Sequence, residues 1–404
     1  MQKSTCANAF RHAAKMALAG CLSALVLVSQ AFGQAAPGIT KDTIVLGGVG
    51  PLTGVASWVG LGGRDGFNMA LDEINAAGIN GRKIRIVWED DGGTPSGALA
   101  AVKRLVEREK VFAIFGSQTS NGAVAIIDYV MENKVPYFNT TAGSDKLIDP
   151  VKKYIFTGAS MPLSKISKGV VGLALDFHKA KRPAMLSPSD EQGKSFALWQ
   201  KKWFEDRGVK VLVNAEHAAG DPDFTSQLVQ IKAANPDILL LASAIPAASI
   251  ILRQARELGL TMPIIGGTSS TGEGLPKAAG AAANGYQSAW LAAYHPDDPA
   301  PANQAFLAKY RAKYAAAGTG RPNYPDYFGY ADAFVVAEAI RRAGADLTRD
   351  RFVQAVEGIR NFRGTDVSTA RTFSADSHTG NVVLSFVQVK DGKYQALNFQ
   401  APLQ

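Results

Sequence analysis

Short runs of β-branched and aromatic residues alternate along this chain with longer stretches whose apolar positions recur every three or four residues. Thr43-Ile44-Val45-Leu46-Gly47 reads as a strand ending in a glycine-rich turn. Residues 61–77 follow as a helix, with Phe67, Ala70, Leu71 and Ile74 on one face. Residues 83–88, 111–115 and 135–138 predict further strands, separated by helices over 95–109 and 121–132. The pattern then repeats, with strands at 182–186, 209–213, 237–241 and 263–265 and helices beginning near Gly193, Asp223 and Pro246. This alternation predicts an α/β protein whose mostly parallel sheets are flanked by helices. Residues 302–316 and 326–343 predict long helices, and 382–389 a final strand turning back through Asp391-Gly392-Lys393. No proline-rich or charged linker divides the two repeats, so lobes joined by several short crossings are expected.

The amino-terminal segment has a different character. Lys3, Arg11 and Lys15 precede an apolar run over 16–28, and the small residues Ala31, Gly33 and Ala35 follow, as in a secretory signal cleaved near 33–36. That run of about 13 residues falls short of the ~20 needed to cross a bilayer. Leu18-Ala19-Gly20-Cys21 spells a lipoprotein box, but Lys15 stands where that box needs an apolar stretch, so acylation of Cys21 is not expected. Cys6 and Cys21 are the only cysteines. The exported chain is therefore expected to carry no disulfide and no thiolate metal site.

About 370 residues remain after cleavage, too many for one core and suited to two lobes. Loss of Lys3, Arg11 and Lys15 lowers the formal charge from +8 to +5. The remaining basic residues are dispersed in pairs such as Lys152-Lys153 and Arg341-Arg342, without the clustered face that nucleic acid requires. Catalytic constellations are absent from the pattern. His178, His217, His295 and His378 lie in separate segments, and neither a glycine-x-serine-x-glycine elbow nor a phosphate loop occurs. Gly48-Val49-Gly50-Pro51-Leu52-Thr53-Gly54 approaches a dinucleotide loop, but its third glycine is one place late and no acid stands at a strand end about 20 residues on, Glu89, Asp90 and Asp91 lying about 40 past it. A binding protein without cofactor, rather than an enzyme, is expected.

The loop 48–54, the stretch Ala70-Leu71-Asp72-Glu73-Ile74-Asn75-Ala76-Ala77-Gly78-Ile79-Asn80-Gly81 and Glu89-Asp90-Asp91 form one ordered set. Ile251-Leu252-Arg253-Gln254-Ala255-Arg256-Glu257-Leu258-Gly259 and Thr372-Phe373-Ser374-Ala375-Asp376-Ser377-His378-Thr379-Gly380 complete it. In this order and spacing the chain resembles a type I periplasmic solute-binding protein of the leucine/isoleucine/valine-binding class. The resemblance implies a two-lobed fold hinged by three crossings. It divides the chain into a signal (1–34), an N-terminal lobe (35–158 plus 291–372) and a C-terminal lobe (159–290 plus 373–404). It also implies a monomer that closes on its ligand and delivers it to an ABC permease and its ATP-binding subunit. A ligand-sensing module for a membrane receptor is the other role this fold implies.

The resemblance places the site residues too. A serine at Ser120 and the backbone around Ala142, Gly143 and Ser144 would hold a ligand carboxylate, with Gln118 and Asn121 beside them and Trp58 as a wall. The segment 116–122 lies between a strand end and a helix start, which itself favours an anion; capping is the other use of Ser120 and Ser144. Opposite, Gln192, Ala244 and Thr268 would line the second lobe. Thr268 stands where amino-acid binders of this class carry the acid that holds the ligand ammonium, and Glu273 is five residues further on. A buried ammonium without a counter-charge costs several kcal/mol. An organic acid with an uncharged body (aromatic, keto or fatty) is therefore slightly favoured over a branched-chain amino acid.

Overall fold

Five parallel strands form the first sheet: β1 (Thr43–Gly50), β2 (Lys83–Asp90), β3 (Ile114–Gly116), β4 (Tyr137–Asn139) and β5 (Ile155–Thr157), in the order β2-β1-β3-β4-β5. The second sheet is ordered β12-β11-β10-β9-β8-β6-β7. Its parallel part is β6 (Pro183–Pro188), β7 (Val213–His217), β8 (Ile238–Leu241), β9 (Ile264–Gly266) and β10 (Gln287–Trp290); β11 (Ser385–Lys390) and β12 (Lys393–Leu397) add an antiparallel hairpin. This computed structural model describes residues 36–401 apart from 117, 219, 273, 315–321, 382 and 400. The expected signal segment and Glu273 lie outside the described residues.

Helices flank the sheets, so the interior strand β8 is apolar throughout: Ile238, Leu239, Leu240 and Leu241 are all fully buried. The hairpin turns as the sequence predicts. Asp391 (φ 50°) and Gly392 (φ 74°) both adopt the left-handed region that a tight two-residue turn demands. Elsewhere tertiary pairing moves the boundaries. β7 starts at Val213, not at 209, because the Val209 N–H closes the preceding helix onto Phe204 and pairing with β6 begins at Val213 opposite Ala184. The helix expected over 121–132 breaks at Ile126 into Ser120–Ala125 and Ile127–Glu132. β10 was invisible in the pattern, since Gln287-Ser288-Ala289-Trp290 has no β-branched residue; partners on both sides make it a strand.

Three segments cross between the sheets, after β5, after β10 and before β11. They meet at Asn381, which is 1% exposed. Its amide donates to the carbonyl of Ala159 on the first crossing (2.9 Å) and of Leu291 on the second (3.1 Å). Its side-chain oxygen accepts from Thr369 Oγ1 and the Val383 N–H. All four hydrogen-bonding capacities of the side chain are then used. The Ala159 N–H goes to Asp332 Oδ2 at 2.8 Å, from the long helix Tyr324–Ala343. A Cβ at Gly158 would run into that carboxylate, which is why glycine stands there.

Asp332 also accepts from the Thr140 hydroxyl and faces Arg371 at 3.8 Å, near enough for an ion pair but too far for a hydrogen bond. Burial raises the Asp332 carboxyl to about 6, with Arg371 opposing the shift. Burial likewise raises Asp326 to about 7, although it accepts from the Asn323 N–H at 2.8 Å. Both groups hold protons in the folded chain that the unfolded chain releases near pH 4. Their stabilising contribution is therefore complete at low pH and is lost as pH rises through about 6 to 7. Denaturant unfolding at pH 5 and pH 8 checks this: the parent is expected to lose stability across that interval. Asp326→Asn, which keeps the acceptor for Asn323, is expected to flatten the loss; an unchanged pH dependence would contradict the assignment.

Candidate functional site

Parallel strands place their carboxyl ends on one edge of a sheet, where crevices form. β3 and β4 are neighbours, with Gly116 opposite Asn139, so the loops after them run side by side. Thr141 Oγ1 stitches them by donating to the Gln118 carbonyl at 2.8 Å. The Gln118 side chain, expected to face ligand, is instead held in the interior. Its amide donates to Asp91 Oδ2 (3.1 Å) and its oxygen accepts from the Tyr137 hydroxyl (2.9 Å). Burial pushes both the Asp91 carboxyl and the Tyr137 phenol up, so Asp91 is held toward its neutral form. Gln118 thus stiffens the loop from within.

Asn139 treats the next loop similarly. It donates to the Ala142 carbonyl (2.7 Å) and accepts from the Ala142 N–H (3.0 Å), so this backbone donor, expected for a ligand carboxylate, is already taken. Gly143 follows where a Cβ would press on Leu163 at 2.8 Å. The two serines differ from their neighbours. Thr119, not Ser120, caps the helix Ser120–Ala125, its Oγ1 accepting from the Gly122 N–H at 3.4 Å. Ser144 precedes the short turn Asp145–Leu147 without a side-chain cap bond. Neither hydroxyl serves as a cap, although the side chains are nearly buried; Asn121 is half-buried beside Ser120.

In the second sheet β6, β8 and β9 are adjacent: Leu186 pairs with Leu241, and Leu241 with Gly266. Register thus aligns Gln192, second in the helix Glu191–Asp206, with Ala244, the residue before the helix Ile245–Glu257, and Thr268, first of the turn Thr268–Ser270. All three are half-buried. The two acids next to Gln192 are engaged. Asp190 caps its own helix by accepting from the Gly193 N–H at 2.8 Å, and Glu191 pairs with Lys146 at 2.9 Å. His217 at the end of β7 contacts Ser243 Oγ and the Ala218 carbonyl, each at 2.8 Å, and so belongs to the scaffold of this edge.

The two rows face each other. Ser144 Oγ lies 3.5 Å from Glu191 Oε1, and the helix Ser120–Ala125 approaches the helix Glu191–Asp206. On the other flank a Cβ at Gly272 would run into Asn323 Oδ1. Trp58 sits in the first turn of the helix Ser57–Ala77, not in the loop before it, with its ring edge-on to Tyr324 at 5.5 Å. Burial drives the Tyr324 hydroxyl far above its ordinary range, so it stays protonated. Tyr324, Gly272 and Glu191 were not legible as site residues; Asn323-Tyr324-Pro325-Asp326 reads only as a helix start. A recess of about 380 Å3 lined by His295, Asp297, Lys393 and Tyr394 shares no residue with these loops.

A profile of the family described as "Periplasmic binding protein" matches residues 43–393. The chain belongs to the periplasmic binding protein family. It is similar to a leucine-, isoleucine-, valine-, threonine- and alanine-binding protein of Pseudomonas aeruginosa, 28% identical over 294 residues that make up 72% of this chain and 77% of that protein. Among solved structures, it superposes on a branched-chain amino acid transporter substrate-binding protein from Streptococcus pneumoniae in complex with isoleucine. That match has a TM-score of 0.77, 25% identity and coverage of 88% of this chain and 98% of the other. A solute-binding protein of an ABC transporter from R. palustris in complex with benzoate also has a TM-score of 0.77, at 21% identity and coverage of 89% and 97%. This periplasmic binding protein is thus a type I solute-binding protein of ABC transporters, with two mostly parallel sheets flanked by helices. Among its described residues no helix is long and apolar enough to cross a membrane, and no group of three or more histidine, cysteine, aspartate or glutamate residues could hold a metal ion.

If Ser120 meets the ligand carboxylate, Ser120→Ala removes a hydrogen bond to a charged group, worth about 1.5–3 kcal/mol. Calorimetric titration is expected to show every carboxylate ligand weakened together, by roughly tenfold or more. Parent-like affinity would remove Ser120 from the site.

Proposed function

We propose that this protein captures a small carboxylate-bearing solute with an uncharged body between its two lobes. It would do so as a periplasmic monomer and present the closed complex to an ABC permease coupled to an ATP-binding subunit. The lobes would divide near residues 158, 290 and 372, and Ser120 and the backbone around Ser144 would meet the carboxylate while Trp58 walls the pocket. One observation carries the choice of solute. The row facing the serines is Gln192, Ala244 and Thr268, and the acids beside it are committed to a helix cap and to Lys146. A ring or branched chain fits such a surface, and Thr268 or Gln192 can meet a ring hydroxyl. An ammonium would lose its hydration there without gaining a counter-charge.

The second reading is a branched-chain amino acid, supported by the binding specificity in the name of the Pseudomonas relative. It requires an acid such as Glu191 or Glu273 to meet the ligand ammonium. The fold alone favours neither, since relatives of like TM-score hold isoleucine and benzoate. A thermal-shift screen of ligand-stripped protein separates the readings. Leucine, isoleucine, valine and phenylalanine are set beside benzoate, hydroxybenzoate, cinnamate-type acids, keto acids and short fatty acids. A ligand at a hundred times its Kd adds about 2.7 kcal/mol, which a melting curve resolves. Shifts with the uncharged-body acids alone are expected; shifts with amino acids alone would overturn the choice.

A further inference from the structure

Glu191 and Lys146 belong to opposite sides of the cleft. Lys146 lies in the turn Asp145–Leu147, whose Leu147 is part of the core beneath the first sheet. Glu191 opens the helix Glu191–Asp206, which packs on β6 of the second sheet. Glu191 Oε1 reaches across to Lys146 Nζ at 2.9 Å and to Ser144 Oγ at 3.5 Å. The Glu191 side chain is 28% exposed and that of Lys146 63%, so the ion pair sits at the solvent edge of the cleft, over a nearly buried serine.

We infer that Lys146, Ser144 and Glu191 form a latch across the mouth of the cleft that holds the lobes together and so sets the affinity for whatever is bound. The contact exists only while the lobes are near each other. Opening separates the turn Asp145–Leu147 from the helix Glu191–Asp206 and returns both charges to water. A bond present in one state and absent in the other shifts the balance between them by its net strength. Observed affinity scales with the fraction of closed, competent protein, so the latch acts equally on every ligand. The pair is partly exposed, which makes the latch weak and sensitive to salt. Glu191 is thereby a positioning residue: it acts on the ligand through the lobes.

The latch rests on the reading that the lobes close over a ligand, and the test separates the two. Glu191→Gln keeps the shape and the hydrogen bond to Ser144 but removes the charge. Lys146→Met removes the other partner while keeping an unbranched, flexible side chain. Titrations of benzoate and leucine are run at low and high salt. Each variant is expected to bind less tightly by about two- to fivefold, by the same factor for both ligands where both bind, and with weaker salt dependence than the parent. The double variant is expected to lose no more than either single one. Small-angle scattering of ligand-free protein gives a second readout, in which both variants are expected to be more extended than the parent. Unchanged affinities together with unchanged ligand-free scattering would overturn the latch. If neither benzoate nor leucine binds any of the proteins, the proposed ligand class fails while the scattering still decides the latch.

Discussion

Where three chain segments run between two sheets, isolated bridges such as Thr157 with Thr379 and Arg371 with Asn381 satisfy only part of their backbone, and buried side chains must meet the rest. Asn381 and Asp332 resolve this. The carbonyls of Ala159 and Leu291 and the N–H of Ala159 are met by two side chains, one from the third crossing and one from the helix Tyr324–Ala343. A buried carbonyl left unmet costs about 1–3 kcal/mol, so loosening Asn381 endangers two at once. The same bonds bring the crossings to one point. Any motion of one lobe against the other would have to turn about this small buried hub.

That confinement gives the strand ends their meaning. Because both sheets are mostly parallel and their carboxyl edges face each other, short loops carry the polar groups there while most of the strand residues behind them are apolar. The loops are themselves stiffened from within. Gln118 is clamped between Asp91 and Tyr137, and Asn139 brackets Ala142. If the lobes close on a ligand as proposed, such stiff loops let binding energy go into closure instead of ordering the site. Among the described residues, contacts already span the cleft at Ser144 with Glu191 and at Asn323 beside Gly272.

Most of this frame was legible from periodicity, because doubly covered strands such as Ile238–Leu241 are short apolar runs between amphipathic helices. What the pattern missed depends on partners distant in sequence. Gln287-Ser288-Ala289-Trp290 becomes a strand only between β9 and β11. The loops that carry the proposed site were legible by place, but the bonds inside them were not: Ser120 and Ser144 make no capping bond, whereas the Gln118 side chain and the Ala142 N–H are bonded within the lobe. Glu191 and Tyr324 came from across the cleft, where no local spacing could announce them. Asn381 looks like any polar residue before a strand until its three crossings are assembled around it.

Small-angle scattering during a titration tests ligand-driven closure most directly. A solute that raises the melting temperature is added stepwise, and the radius of gyration is followed. Closure about the Asn381 hub predicts a radius that falls and levels off at one solute per chain. A solute that stabilises the protein yet leaves the scattering curve unchanged at saturation would mean that the lobes do not move on binding, and that the hinge is a scaffold only.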